Sequence, residues 1–366
     1  MNAVPRIRVL VIDDSALVRR ILCDVLSGDP AIEVVGTAGD AHIAREKIKK
    51  FNPDVLTLDV EMPKMDGLTF LANLMRLRPM PVVMVSSLTE RGADITFDAL
   101  AMGAVDYLPK PRIDIAATLQ DYGDELIAKI KTAAGANVRA LDSRRVATLR
   151  SRPMVSSAAT GEVPQARPMR STDRIVAIGA STGGTEAIKE VLCNLPPDCP
   201  GMLITQHIPP AFSASFARRM NDVSPLTVCE AQDGQQVLAG HVYIAPGDYH
   251  LRLVRDGARY VCQVTQDAPV NRHRPSVDVL FRSVAQNAGA NAIGVLLTGM
   301  GRDGAKGLKQ MRQAGAPTMA QDEHTSVVWG MPGEAVAIGA ADDVQPIEAI
   351  AARIVQLAAA MDISRN

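Results

Sequence analysis

Two groups of residues have the types and spacing to do chemistry, and the first is acidic. Ile12-Asp13-Asp14-Ser15 closes the apolar run that begins at Ile7, and Leu58-Asp59-Val60-Glu61-Met62-Pro63 closes the run from Val55. If both runs are parallel strands, their carboxyl ends share the rim where open α/β sheets bind ligands. Three carboxylates at close range repel one another, so the cluster calls for a hard, oxygen-seeking cation, for which Mg²⁺ is the best fit. Such a cation would also neutralise a phosphoryl group approaching Asp59, the carboxylate best placed as a nucleophile. Ser86 at the end of VVMVS offers a hydroxyl donor, and Lys110 within Leu108-Pro109-Lys110-Pro111 offers a point charge. One Asp after a strand is ordinarily a helix cap. Asp13, Asp14, Asp59, Ser86 and Lys110 at four strand ends in order form a far stricter pattern.

The second group is built around a serine. Ile175 to Ile178 runs into Gly179-Ala180-Ser181-Thr182-Gly183-Gly184. As G-x-S-x-G, this places Ser181 on a sharp strand-to-helix turn near backbone N–H groups. As a Gly-rich βα turn it is close to the dinucleotide pattern G-x-G-x-x-G, but Ser181 stands where the second glycine lets backbone approach a pyrophosphate. A serine there weakens the cofactor reading, and a plain structural turn stays open. The base is expected at His207, which ends the next apolar run, Met202 to Gln206, on the same rim. His42, His241 and His250 have plainer explanations on a helix and beside strands. His273 and His324 fall in polar loops that could line a pocket. Asp303 in Thr298-Gly299-Met300-Gly301-Arg302-Asp303-Gly304 supplies an acid, although its ordinary role would be to cap the helix it opens. The glycines of that loop could bring N–H groups to a developing oxyanion, each worth about 10² to 10³ in rate. The order Ser, His, Asp differs from the α/β-hydrolase order, so that fold is not implied.

The elements that must position these groups are legible from periodicity. From Ile7 to about Lys131, short apolar runs alternate with amphipathic segments in five units, which implies a doubly wound parallel sheet covered on both faces. From Arg174 a second α/β pattern begins. Within it HVYIAP, YHLRLVR and YVCQVT read as antiparallel hairpins inserted in a mostly parallel sheet. Between Thr132 and Arg170 the periodicity stops, and seven arginines face two acids, a local balance of +5. This linker is either a solvated tether or a docking segment for an acidic partner, and its first part, Asn137 to Leu149, could extend the preceding helix. The expected domains are 1–131, a linker over 132–171, and 172–366.

Composition bounds the function classes. A chain of 366 residues fits two domains, and 47% hydrophobic with 22% charged residues is ordinary for a globular protein. Lys and Arg number 39 against 40 Asp and Glu, so no general attraction to nucleic acid is expected. A DNA-binding output would need a basic helix-turn-helix, whereas the second domain is long, near neutral and rich in strands. No run of about 18 apolar residues predicts membrane insertion, and the first residues enter a strand with no signal sequence, so a cytoplasmic location is expected. Cys23, Cys193, Cys199, Cys229 and Cys262 are odd in number without a C-x-x-C pair, and are read as reduced core residues.

Residues 5–131, with D-x-x-M-P-x-M-D-G from Asp59 to Gly67, closely resemble a response-regulator receiver domain. That resemblance implies that Asp59 is the phosphoacceptor, with a phosphorylated histidine kinase as donor. It further implies that Asp13, Asp14, Asp59 and the Glu61 carbonyl hold Mg²⁺, that Ser86 and Tyr107 are the switch residues, and that Lys110 contacts the phosphoryl group. GASTGG, ITQHIPP and LLTGMGRDG, over about residues 172–363, closely resemble the catalytic domain of the chemotaxis protein-glutamate methylesterases, the CheB family. This implies Ser181 as nucleophile, His207 as base, Asp303 as its orienter and the Met300 backbone as an oxyanion donor, in an esterase that needs no cofactor. It also implies demethylation of methyl-glutamate and deamidation of glutamine side chains on chemoreceptors. Phosphorylation of Asp59 is expected to uncover the Ser181 cleft. A methylesterase-like regulator of a two-component pathway outside chemotaxis is the alternative.

Overall fold

A computed structural model describes residues 5–63, 65–87, 89–111, 116–138 and 174–363. These divide into two compact units. Residues 5–86 and 101–134 belong to the first, while 87–100, 135–137 and 174–363 belong to the second.

The first unit has strands β1 (Ile7–Ile12), β2 (Ile32–Ala38), β3 (Val55–Asp59), β4 (Val82–Ser86) and β5 (Asp106–Pro109). All pair in parallel, in the order β2-β1-β3-β4-β5. Every residue of β3 and β4 is buried, as a sheet covered on both faces requires. Helices α1 (Ala16–Ser27), α2 (Ala41–Phe51) and α3 (Gly67–Leu77) start on Ser15, Asp40 and Asp66, whose side chains accept from the N–H groups of Val18, Ile43 and Thr69. Helix α5 (Ala116–Ala134) also belongs to this unit, and along the chain α4 (Glu90–Ala101), whose residues 90–100 belong to the second unit, completes the alternation. Strand order reverses between β1 and β3, so Asp13 and Asp59 emerge at the crevice that the reversal opens. The glycine of the Asp59–Gly67 motif has a steric reason, because a Cβ at Gly67 would fall 2.1 Å from the Asp59 carbonyl oxygen.

In the second unit, seven strands form one parallel sheet: β6 (Ile175–Ala180), β7 (Gly201–Gln206), β8 (Thr227–Glu230), β9 (His241–Ile244), β12 (Ala292–Leu296), β13 (Thr318–Gln321) and β14 (Asp343–Gln345). Their order is β14-β13-β12-β6-β7-β9-β8, with the reversal between β6 and β12. Strands β10 (His250–Asp256) and β11 (Arg259–Thr265) pair antiparallel as a separate two-stranded sheet, from His250 opposite Thr265 to Asp256 opposite Arg259. Of the three expected hairpin strands only these two form one. The expectation for HVYIAP is corrected, since β9 pairs in parallel with both β7 and β8. The helices are α6 (Gly184–Cys193), α7 (Pro210–Val223), α8 (Val277–Asn287), α9 (Ala305–Gln313), α10 (Met331–Ala337) and α11 (Ile347–Ile363). Leu203 of β7, Leu280 and Phe281 of α8, Leu308 and Met311 of α9 and Met331 of α10 share one buried core.

Helix α5 ends at Ala134 and residues 135–138 are not helical; the rest of the segment expected to extend it, 139–149, and of the expected linker to 171 lies outside the described residues. All five cysteines are free, but only Cys199 and Cys262 are buried, and Cys193 is exposed. The reading of all five as core residues is thereby narrowed to two. Among the described residues no helix is long and apolar enough to cross a membrane.

Candidate active site

The turn after β6 brings Ser181 to the switch point of the larger sheet. Gly183, at φ +77, lets the chain reverse into α6, and a Cβ there would lie 2.7 Å from the Val327 side chain. The Ser181 N–H donates to the Thr298 carbonyl at 3.0 Å, and the Ser181 carbonyl accepts from the Gly184 N–H at 2.7 Å. Both backbone groups of the serine are thus committed, and only its side chain is free to turn toward β7. Gly299, just beyond β12, crosses directly over it. A Cβ on Gly299 would stand 2.8 Å from the Ser181 Cβ, so no larger residue fits without displacing the serine.

His207 follows β7, and its N–H donates to the Ala180 carbonyl at 3.2 Å, which aligns the two strand ends. Its Nδ1 lies 3.1 Å from Ser181 Oγ, and its Nε2 lies 2.8 Å from Asp303 Oδ2. A flipped ring would turn carbon atoms toward both partners, so the contacts themselves fix the orientation. With Asp303 ionised, Nε2–H donates to the carboxylate and the Nδ1 lone pair accepts the serine hydroxyl. This interchanges the two ring nitrogens relative to the chymotrypsin triad, in which Nε2 faces the serine.

Asp303 is 2% exposed. Its Oδ2 accepts from His207 Nε2 and from the Val277 N–H at 2.7 Å. Its Oδ1 accepts from Asn271 Nδ2 at 2.6 Å, Ser276 Oγ at 2.8 Å and the Asp278 N–H at 3.3 Å. Burial alone would raise this carboxyl, but the hydrogen bond and charge of His207, with Asn271 and the Val277 N–H, hold it far below the usual carboxylate range. The ordinary alternative, a cap on the following helix, is not found. Helix α9 starts on Gly304 without a side-chain cap, and Asp303 instead satisfies the first N–H groups of α8, whose own N-cap Ser276 turns its hydroxyl to the same carboxylate.

Sequence reasoning missed the supports of this chain of side chains. Gln206 Nε2 donates to the carbonyls of both Ser181, at 2.9 Å, and His207, at 3.1 Å, pinning nucleophile and base to one amide. Thr298 Oγ1 donates to the Thr182 carbonyl at 2.9 Å. Asn271, Ser276 and the ring of His273 come from a polar loop whose only advance signal was a histidine among polar residues. Met300 follows Gly299 at the edge of the site and is partly buried.

In the first unit, Asp13, Asp14 and Asp59 each offer a carboxylate oxygen within 4.8 Å of the others. Lys110 Nζ lies 2.8 Å from Asp59 Oδ2 and 3.5 Å from Asp13 Oδ2. The Glu61 N–H donates to Asp59 Oδ1 at 3.1 Å, so Glu61 meets the cluster through its backbone while its side chain is exposed. Burial raises the Asp59 carboxyl to about 6; the Lys110 hydrogen bond opposes this and the Asp13 charge adds to it. Asp13 is likewise raised by burial, and its buried Oδ2 has nothing nearer to satisfy it than Lys110 Nζ at 3.5 Å. Buried, under-satisfied oxygen donors of this kind fit a small hard cation such as Mg²⁺, which keeps part of its water shell. Ser86 ends β4 beside Pro109, and its carbonyl accepts the Lys110 N–H at 2.7 Å. Tyr107 is buried on β5, with Lys129 Nζ 5.3 Å from its ring centroid.

Comparisons with known proteins agree with both halves. A family model described as CheB methylesterase matches residues 176–354, and one described as response regulator receiver domain matches 9–120. The protein-glutamate methylesterase/protein-glutamine glutaminase 1 of Xanthomonas campestris is 58% identical over 353 residues, 96% of this chain and 98% of its own. The protein-glutamate methylesterase/protein-glutamine glutaminase of Hydrogenovibrio crunogenus is 55% identical over 371 residues, 96% of this chain and 99% of its own. The chain belongs to the CheB methylesterase family. A solved CheB methylesterase catalytic domain from Thermotoga maritima is 39% identical, spans 50% of this chain and 98% of its own, and superposes with a TM-score of 0.49. The CheB methylesterase match encloses Ser181, His207 and Asp303, and the receiver match encloses Asp13, Asp14, Asp59, Glu61, Ser86, Tyr107 and Lys110.

Two outcomes follow from these geometries. Asp303→Ala strands the N–H groups of α8 and three side-chain donors, so it should lower unfolding stability by about 3 kcal/mol or more. His207→Ala should lower it much less, and equal thermal midpoints for the two variants would contradict the capping role. Adding Mg²⁺ should raise the thermal midpoint of the full chain at pH 7.5. Because protonated Asp59 is a poor ligand, that increment should shrink as pH falls through about 6. An increment equal at pH 7.5 and pH 5, or one retained in Asp13→Asn, would count against the site.

Proposed function

We propose that this chain is a phosphorylation-regulated serine hydrolase that removes the methyl group from methyl-glutamate side chains of chemoreceptors and deamidates their glutamines. The observation that carries this reading is the continuous hydrogen-bonded series Ser181 Oγ, His207 Nδ1, His207 Nε2, Asp303 Oδ2 at the switch point of the parallel sheet. His207 Nδ1 takes the hydroxyl proton as Ser181 Oγ attacks the ester carbonyl, and the Met300 backbone N–H donates to the resulting oxyanion. The tetrahedral intermediate collapses, the Nδ1 proton passes to the leaving methoxide, and methanol departs from an acyl-enzyme. Water then attacks that ester with Nδ1 again as base, releasing a glutamate carboxylate and restoring the serine. With a glutamine substrate the leaving group is ammonia. Each step uses only side chains and backbone, so the esterase needs no cofactor.

The receiver supplies control. Asp59 accepts a phosphoryl group from a phosphorylated histidine kinase, and Lys110, already on Asp59, contacts the incoming phosphoryl oxygens. Asp13, Asp14, Asp59 and the Glu61 carbonyl would hold Mg²⁺, whose charge would neutralise those oxygens. Ser86 at the end of β4 and Tyr107 within β5 carry the switch. In this reading the receiver occupies 1–131, the linker 132–171 and the catalytic domain 172–366, all acting in the cytoplasm with no nucleic-acid partner and no membrane insertion.

The test is release of labelled methanol from methylated chemoreceptor by the full chain, with and without a phosphorylated histidine kinase. Ser181→Ala should reduce release by at least about 10⁴-fold, while Asp59→Asn should keep the basal rate and lose the response to the kinase. Normal release by Ser181→Ala sinks the nucleophile; an undiminished kinase response in Asp59→Asn sinks the phosphoacceptor.

A further inference from the structure

Residues 270–273 form a tight two-residue turn. The Val270 N–H donates to the His273 carbonyl at 3.1 Å, and the His273 N–H donates back to the Val270 carbonyl at 2.9 Å. Both central residues are left-handed, Asn271 at φ +54 and Arg272 at φ +69. That is the backbone of a type I′ turn, which asparagine accepts and arginine adopts only under strain. Strain held in place beside a reaction centre is a reason to ask what it positions.

The turn reaches two of the three members of the series at once. Asn271 Nδ2 donates to Asp303 Oδ1 at 2.6 Å and to Asp278 Oδ2 at 2.9 Å, which anchors the turn to the acid and to α8. Two residues on, the His273 ring lies flat on the His207 ring, with centroids 3.7 Å apart and planes 16° from parallel. The mechanism above assigns His273 nothing. Hydrogen bonds at the two edges of the His207 ring fix those edges but leave the ring able to rock about the line that joins them. A flat neighbour against one face opposes that motion and keeps water from that face. The His207 side chain is 9% exposed.

We propose that His273 is a positioning residue for this reaction, holding the His207 imidazole in plane between Ser181 and Asp303, and that the strained turn anchored by Asn271 is the fixture that holds it. The proposal rests on the reading of Ser181 as nucleophile and His207 as base.

The experiment measures kcat and KM for methanol release by the full chain, with the concentration of methylated chemoreceptor varied, together with thermal midpoints. His273→Ala should lower kcat about tenfold or more, as expected for a loosened base, with KM within about twofold. His273→Phe keeps a flat ring and should recover most of kcat. His273→Leu fills the volume without a flat face, so it should keep the midpoint and still lose kcat, which covers the case of an Ala variant that fails to fold. Full kcat in His273→Leu or His273→Ala overturns the proposal. So does a His273→Phe chain as slow as His273→Leu, which would assign the effect to the ring nitrogens. Ser181→Ala run alongside separates the two readings: activity surviving there overturns the nucleophile, whereas an inert Ser181→Ala beside a fully active His273→Leu overturns only the role of His273.

Discussion

A carboxylate almost shut off from water, with five hydrogen-bond donors around it, is the constraint on which the larger unit depends. Removing Asp303 from water is expensive, and its charge is offset by His207, Asn271, Ser276 and two N–H groups at the amino end of α8. Because those donors come from the residue that follows β7, from the loop before α8 and from α8 itself, the carboxylate is also where these elements meet. Asp278, two residues into the cap, extends the bond pattern to α9 by accepting the Gly307 N–H at 2.7 Å. The orientation of the base and the packing of two helices are therefore set by one group. A shift of α8 that leaves the strands untouched would still reach His207.

The smaller sheet uses the same architectural opportunity with the opposite electrostatic logic. In both sheets the reactive residue leaves a strand end where the strand order reverses, and that is where the topology leaves room for a ligand. Asp303 is saturated with donors and held ionised. Asp59 and Asp13 are buried with too few, so burial pushes both carboxyls up, and Lys110 is the one cation directly on Asp59 among the described residues. A saturated carboxylate holds a geometry in place; an under-satisfied pair leaves a demand for positive charge that a metal and a phosphoryl group can meet together.

Much of this was legible in the sequence because it depends on local rules. Uninterrupted apolar runs mark parallel strands, and reactive types at successive strand ends must share a rim, which is why Ser181, His207 and Asp303 could be grouped across 122 positions of chain. What stayed hidden depends on distant partners. Asp303 looks like the cap of its own helix, and only the fold shows that it caps another, formed 26 residues earlier. Strand β9 followed by turn residues suggests a hairpin with the strand that comes next; its partners are the two strands before it, β7 and β8, both in parallel, and periodicity does not show direction. Helix α10 has seven residues with Gly333 inside, and β14 has three, so neither is long enough to show a period. Gln206 reads as the last residue of a strand, and nothing in its neighbours says that its amide ties two carbonyls 26 residues apart.

The interchange of ring nitrogens at His207 bears on which form of the base exists before substrate arrives. A free histidine side chain in water carries its hydrogen more often on Nε2 than on Nδ1. An arrangement that turns Nε2 to the serine must hold the minority tautomer in place, and its acid serves partly to select it. Here Nε2 faces Asp303, and an ionised carboxylate can only accept, so the hydrogen belongs on Nε2 and the active tautomer is the one the isolated side chain already prefers. The carboxylate is relieved of that selection, and what remains to it is orientation and charge.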